Sequence, residues 1–363
     1  MRATSEPAPP SELVAARGAL MRAEIGEQPQ VLGRLLDEGR AAIGRVAAAV
    51  RSRRPRFALL AGRGTSDHAA LYAKYLLEIR LGLPCGLVSP STLTGYGARP
   101  DLDDVLWIVV SQSGGSPDLV ESTTAARRCG AITVAVTNAP DSPLAAAAEF
   151  GVDVLAGPEL AVAATKSYSA QLLALYLLVD ALAEGDGAAA RVLPGAVAAA
   201  LDRADDVRAC AQRYRFVERL VVTGRGYSYP SAREGALKIM ETSYLSAHAF
   251  SAADLLHGPF AMIDTDRPVI AVAADGVGAV ALDPVLTRLH DREADVLLIA
   301  DERLLARWGG GRATVELALP AVAEEVAPVV QVVPLQLLAL TMSVARGHDP
   351  DTPRGLSKVT ETH

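Results

Sequence analysis

The chain repeats itself, and the repeat limits what it can fold into. Phe57-Ala-Leu-Leu-Ala61 runs into Gly62-Arg63-Gly64, and 162 residues later Leu220-Val-Val-Thr223 runs into Gly224-Arg225-Gly226. Each is a short apolar run ending at glycines, the pattern of a buried strand that turns sharply into a helix. The order then recurs. Apolar runs at 105–110, 132–136 and 152–155 are answered by runs at 269–272, 296–299 and 315–317, and Gln171-Leu-Leu-Ala-Leu175 reappears as Gln336-Leu-Leu-Ala-Leu340. Helical patterns separate the runs. The stretch 29–50 sets Val31, Leu32, Leu35, Leu36 and Ile43 on one face, and others cover 65–81 and 165–183. Strands alternating with helices predict a parallel sheet with helices on both faces. The expected fold class is therefore α/β, as two tandem three-layer α/β/α units. We place an amino-terminal arm at 1–28, the first unit at 29–198, the second at 199–346 starting in a polar helix, and a tail at 347–363.

Composition narrows the function. A chain of 363 residues suits two domains, and 50% hydrophobic with 21% charged residues supports a core rather than disorder. The count of 35 Lys+Arg against 42 Asp+Glu leaves −7, and aromatics are only 4%. Both argue against nucleic acid or an acidic membrane surface as a partner. Cys85, Cys129 and Cys210 are far apart and lack CxxC spacing, so neither a disulfide framework nor a zinc site is expected. No apolar run approaches the ~18 residues that span a bilayer. Met1–Glu12 is rich in Pro and Ser and reads as a frayed arm, not a signal peptide. The expected location is the cytoplasm, with no membrane partner.

The two copies differ at the strand ends, where open α/β sheets bind ligands. The first copy carries Gly64-Thr65-Ser66 and Ser111-Gln112-Ser113-Gly114-Gly115-Ser116; the second has Tyr227-Ser228 and Ala273-Ala274-Asp275-Gly276. Hydroxyls and glycines at a strand-to-helix turn suit an anion, because backbone N–H groups approach closely and the helix offers its positive end. The first copy therefore reads as a phosphate cradle and the second as one that has lost it, with an acidic Asp275 expected to repel a phosphate there. The alternative is that Ser and Thr only cap the two helices. No GxxxxGK[ST] occurs, and Asp67 stands where a dinucleotide fingerprint needs its third glycine, so nucleotide cofactors are not expected. The second copy offers titratable groups: Glu234, Lys238 and Glu241 among apolar helix neighbours, and His257 in a Gly-Pro turn. An ion-paired solvated face and a structural loop histidine are the plainer alternatives. Lys358 lies in the tail and, taken alone, reads as solvated.

With these motifs in view, the chain resembles the sugar isomerase (SIS) domain superfamily, and within it the tandem isomerase half of glucosamine-6-phosphate synthases. The likeness runs through Met21–Pro29, Gly64-Thr65-Ser66, Ser111-Gln112-Ser113-Gly114, Ala163-Ala164-Thr165-Lys166, Glu234–Glu241, His257-Gly258-Pro259 and Pro353–Lys358. The resemblance implies that Gly64, Thr65, Ser66, Ser111, Gln112, Ser113 and Ser116 hold the substrate phosphate. It implies Glu241 as the base between C1 and C2, and Lys238 as a contact to the open-chain sugar. Lys358 would form a Schiff base with a keto sugar or touch the open chain, under a tail folded over the site. His257 would help open the pyranose ring from the partner subunit, hence a homodimer. Val162 and Ser357 are further substrate-contact candidates, and no metal or other cofactor is implied.

Departures from the synthase pattern shape the expected reaction. Only a short arm precedes the first unit, so glutamine is not expected to be the nitrogen donor within this chain. Gly115 replaces an acidic residue, and Ser113-Gly-Gly-Ser116-Pro117-Asp118 is more similar to stand-alone SIS deaminases and deglycases. Ala164, Met240 and Leu256 also replace polar residues. The expected reaction is glucosamine 6-phosphate plus water to fructose 6-phosphate plus ammonia. The alternatives are a dehydratase or lyase acting on N-acetylglucosamine 6-phosphate, a fructosamine-phosphate deglycase, and a non-catalytic sugar-phosphate sensor.

Overall fold

The computed structural model describes residues 17–308, 311 and 313–358. The first sheet contains β1 (Phe57–Ala61), β2 (Cys85–Leu87), β3 (Val105–Ser111), β4 (Ile132–Thr137) and β5 (Phe150–Asp153). The second contains β6 (Arg219–Gly224), β7 (Ser246–Ser251), β8 (Val269–Ala273), β9 (Val296–Asp301) and β10 (Val315–Leu319). The orders are β2-β1-β3-β4-β5 and β7-β6-β8-β9-β10, the same topology twice. Every pairing is parallel. The central strands β4, β8 and β9 are buried along their whole length. That is why they read as unbroken apolar runs rather than alternating ones: helices cover both faces. The duplicated α/β fold is as the sequence predicts.

The sequence reading passes over β2 and β7. Both lie at sheet edges, and β2 is only three residues, Cys-Gly-Leu, too short to show a period. The strand expected at 152–155 lies at Phe150–Asp153, because the chain turns at Leu155, whose φ is +53°. The helical pattern over 29–50 becomes the helices Gln28–Arg34 and Arg40–Ser52, joined by a π-turn at Leu35–Gly39. The polar helix expected at 199–215 is two helices, Leu193–Leu201 and Ala204–Tyr214.

Three further points refine the reading. First, the frayed stretch expected at Met1–Glu12 lies outside the described residues, while the rest of the arm carries a helix, Ala19–Gly26, that buries Met21, Glu24 and Ile25 and packs on the helix Ala327–Ala345. Its first N–H groups, those of Leu20 and Met21, donate to Asp351 in the tail, so this helix and the tail fasten each other. Residues 1–16 of the arm lie outside the described residues. Second, the helix Ala327–Ala345 is long and apolar enough to cross a membrane by length and composition, contrary to the expectation that no segment is. With 89% of its apolar window buried inside the protein, it is a core helix. Third, Gln336 is not the counterpart of Gln171. Gln171 donates to Ser66 at 3.2 Å, and the matching pair in the second unit is Gln331 and Ser228 at 2.9 Å. Gln336 instead donates to the Thr165 carbonyl and accepts from Gln28. The recurring QLLAL string is shifted along its helix relative to the structural repeat.

One apolar core runs through both units, from Met21 and Leu32 through Tyr72 and Tyr168 to Leu335 and Met342. The helices that follow the strands β1 and β6, Thr65–Leu81 and Ser228–Ser243, pack on one another within it. This contact carries the cradle of one unit onto the titratable face of the other.

Candidate active site

The loops after β1 and β3 leave the first sheet where its strand order reverses, the place where a parallel sheet opens a crevice. Close approach sets the first loop: a Cβ on Gly62 would lie 2.5 Å from the Ser66 carbonyl oxygen. In the second loop Gly114 has φ +62°, and a Cβ there would lie 2.0 Å from the Ser142 hydroxyl. The Ser111 hydroxyl accepts from the Gly114 N–H at 3.1 Å and that of Ser113 from Gly115 at 3.3 Å, which holds the turn open.

Capping does not account for the hydroxyls. Gly64 and Ser116 occupy the N-cap positions of the helices Thr65–Leu81 and Pro117–Arg128, and neither helix has a side-chain capping bond. Thr65 and Ser66 turn inward, to Glu234 and Lys238 and to Gln171 respectively. All seven expected phosphate residues, Gly64, Thr65, Ser66, Ser111, Gln112, Ser113 and Ser116, line one cavity of about 190 Å³. Lys238, Glu241, Val162, Ser357 and Lys358 line the same cavity. His257 does not; it is exposed at the end of the short helix Ala252–Leu256.

Glu234, Lys238 and Glu241 form an inward-facing cluster rather than a solvated face. The Lys238 side chain is 1% exposed, with its Nζ 2.6 Å from Glu241 Oε2, 3.3 Å from Glu234 Oε1 and 2.9 Å from Thr65 Oγ1. Burial alone draws the ammonium pKa down, but Glu234 and Glu241 outweigh it and hold the group above its ordinary range. Lys238 is thus a fixed cation that orients Glu241, the carboxylate of the cluster that reaches the cavity.

The tail delivers Lys358. Its Nζ donates to Glu159 Oε2 at 2.9 Å and to the Ala161 carbonyl at 2.6 Å. Arg354 anchors the approach, with its guanidinium 4.0 Å from the centre of the Tyr244 ring and its N–H bonded to the Tyr244 hydroxyl. The amino-terminal helix supports the same wall: Glu24 accepts from the Leu160 and Ala161 N–H groups, and Glu27 pairs with Lys166 at 2.6 Å. Burial raises the Glu159 carboxyl pKa, but Lys358, the Ser167 hydroxyl and N–H, and the Thr165 N–H together pull it below its ordinary value of 4.5. A depressed carboxyl contributes stability that is complete above the unfolded pKa and is lost as pH falls through the folded one. Thermal melts should therefore show Glu159→Gln about 2 kcal/mol less stable than the parent from pH 7 to pH 5. The gap should close only as the pH falls below about 4.5.

Sequence reasoning missed several residues of the site. Arg63 lines the cavity and holds buried Asp118, with Nη2 at 2.6 Å and Nε at 2.7 Å. Glu159 and Ser167 carried no signal, being single polar residues in a loop and an apolar helix, and Gln171 stood out only as part of a recurring string. Arg63 was visible as the odd residue in Gly62-Arg63-Gly64.

Residues 53–181 and 215–346 both match the model of the SIS domain. The chain belongs to the SIS domain family. It is 34% identical over 359 residues to the glutamine–fructose-6-phosphate aminotransferase (isomerizing) of Pseudomonas putida, across 93% of this chain and 58% of that one. The chain thus spans somewhat over half the length of the curated relatives it matches. A candidate phosphosugar isomerase of Silicibacter pomeroyi DSS-3 is 36% identical with a TM-score of 0.81, covering 91% of this chain and 99% of that one. A glucosamine-6-phosphate deaminase of Thermotoga maritima has a TM-score of 0.78 over 95% of this chain and 100% of its own; at 21% identity the likeness is one of fold.

The two SIS units differ at their cradles for a reason the sequence reading placed on the wrong residue. Asp275 is paired with Arg307 at 2.5 Å, so it is not a bare charge. Glu324 is what fills the second cradle: its carboxylate accepts from the Val277 N–H at 3.1 Å and the Gly278 N–H at 2.8 Å. An internal anion there occupies the amino terminus of the helix Val277–His290, the position where the first unit leaves its hydroxyl-lined cavity.

Proposed function

We propose that this SIS protein is an aldose–ketose deaminase that converts glucosamine 6-phosphate and water to fructose 6-phosphate and ammonia. The observation that carries the reading is the opening of Glu241 and the hydroxyl cradle into one cavity. A sugar phosphate anchored at Thr65, Ser66, Ser111, Gln112, Ser113 and Ser116 extends its open chain toward Glu241. The base takes the C2 proton and returns it to C1. The product of that transfer is a C2 imine; water adds to it and ammonia leaves, so atoms balance with no oxidant or reductant. Lys238 holds Glu241 in place, and Lys358 stands at the tail side of the cavity for the carbonyl end of the chain. Val162 and Ser357 flank the substrate. His257 opens the ring from the second subunit of a homodimer, which is consistent with its exposure in a single chain. The choice of deamination rests on the resemblance of Ser113-Gly-Gly-Ser116-Pro117-Asp118 to the stand-alone SIS deaminases and deglycases.

Deuterium incorporation tests the proton transfer directly. Glucosamine 6-phosphate turned over in D2O should yield ketose carrying solvent deuterium at C1 to the extent that Glu241 exchanges with solvent between steps. Tight binding with neither exchange nor product would make the chain a sensor instead.

A further inference from the structure

We propose that His68 is a positioning residue that acts on the base through Glu234; this rests on the reading of Glu241 as the base. His68 stands on the helix Thr65–Leu81 and is 6% exposed. Its Nδ1 lies 2.8 Å from Glu234 Oε2. The other oxygen of Glu234 accepts from Thr65 Oγ1 at 3.1 Å and lies 3.3 Å from Lys238 Nζ. Lys238 then reaches Glu241 Oε2 at 2.6 Å. His68, Glu234, Lys238 and Glu241 thus form one line of charged and polar contacts, from a helix of the first unit to the carboxylate at the cavity.

The physics makes the far end depend on the near one. The Glu234 side chain is fully buried, and a carboxylate without water keeps its charge and its rotamer only while donors face both oxygens. Thr65 and Lys238 serve Oε1, and His68 is the donor at Oε2. With a carboxylate as acceptor, the ring proton sits on Nδ1. Without that donor the Glu234 carboxylate must turn to find another partner for Oε2. Lys238 then loses one of its two counter-charges and is no longer fixed against Glu241. His68 is not among the residues lining the substrate cavity; its ring faces a second cavity, with Arg233, Met240 and His248. Its effect should therefore fall on kcat and not on KM.

The test compares His68→Asn, His68→Gln and His68→Leu in the full chain, with glucosamine 6-phosphate as substrate, thermal melting as the check on folding, and Glu241→Gln alongside. The short amide of asparagine can donate near the Nδ1 position, whereas that of glutamine reaches toward Nε2. His68→Asn should keep kcat within a few-fold of the parent, while His68→Gln and His68→Leu should lose on the order of 10- to 100-fold at unchanged KM. Equal activity of the Asn and Gln variants overturns the proposal, and so does a loss carried by KM. The Asn–Gln contrast decides the matter even if the Leu variant does not fold. Full turnover by Glu241→Gln would overturn the base assignment itself, a separate failure from that of His68.

Discussion

Replacing Glu241 with glutamine should lower kcat on glucosamine 6-phosphate by on the order of 100- to 10,000-fold, the range expected for loss of a positioned general base. The substitution is close to isosteric. The amide oxygen can still accept from Lys238, which lies 2.6 Å from the carboxylate, so the helix Ser228–Ser243 has no reason to move. What is lost is the basicity of the carboxylate, because an amide oxygen accepts a hydrogen bond but does not take up the C2 proton. The phosphate cradle belongs to the other unit and is untouched, so KM should stay close to that of the parent. Steady-state ammonia release measures both constants. A variant that keeps more than a tenth of the parent kcat would place the base elsewhere.

Replacing Lys238 with methionine should destabilise the protein by about 3–5 kcal/mol, the range for removing one partner from a buried ion pair. Methionine fills similar volume and leaves two carboxylates without their shared cation, one of them, Glu234, with no exposed surface. The cluster then has an uncompensated buried charge that no water reaches. The double variant Lys238→Met/Glu234→Gln should recover part of the loss, because the fully buried charge is gone. Urea or thermal unfolding of the three proteins reads the effect. A single variant as stable as the parent would mean that the ammonium is not needed to hold the cluster, which would remove the account of how Glu241 is oriented.

The fold was legible because the helix-covered strands announce themselves twice in the same order. What escaped was what periodicity cannot carry. An edge strand of three residues such as β2 has no pattern. The amino-terminal helix looked like an arm because its burial comes from distant partners: Asp351 at its start, and the loop carrying Leu160 and Ala161 along its side. The string Gln336–Leu340 misled because helix composition recurs more readily than register, and only the Ser66–Gln171 and Ser228–Gln331 pairs fix the true correspondence.

The candidate site was readable at its loops and its helix. Hydroxyls with glycines after two strands, set against a copy that lacks them, singled out the residues that line the cavity. The reading went astray where charge depends on contacts across the chain. Asp275 was given the part that Glu324 plays, since nothing in sequence spacing brings Glu324 to the amino terminus of the helix Val277–His290. Glu159, which holds Lys358 at the cavity wall, is a lone acidic residue in a loop and becomes meaningful only when the tail arrives beside it. His68 is similar: its partner lies 166 residues away on the other unit.

The most direct measurement is product formation from glucosamine 6-phosphate by the purified protein, with ammonia and ketose quantified together and N-acetylglucosamine 6-phosphate run in parallel. The account predicts ammonia and fructose 6-phosphate in equal amounts, with both formed on the order of 100-fold more slowly or worse by Glu241→Gln. Loss of water from the acetylated sugar with no ammonia from the free amine would contradict it and make the same base serve an elimination.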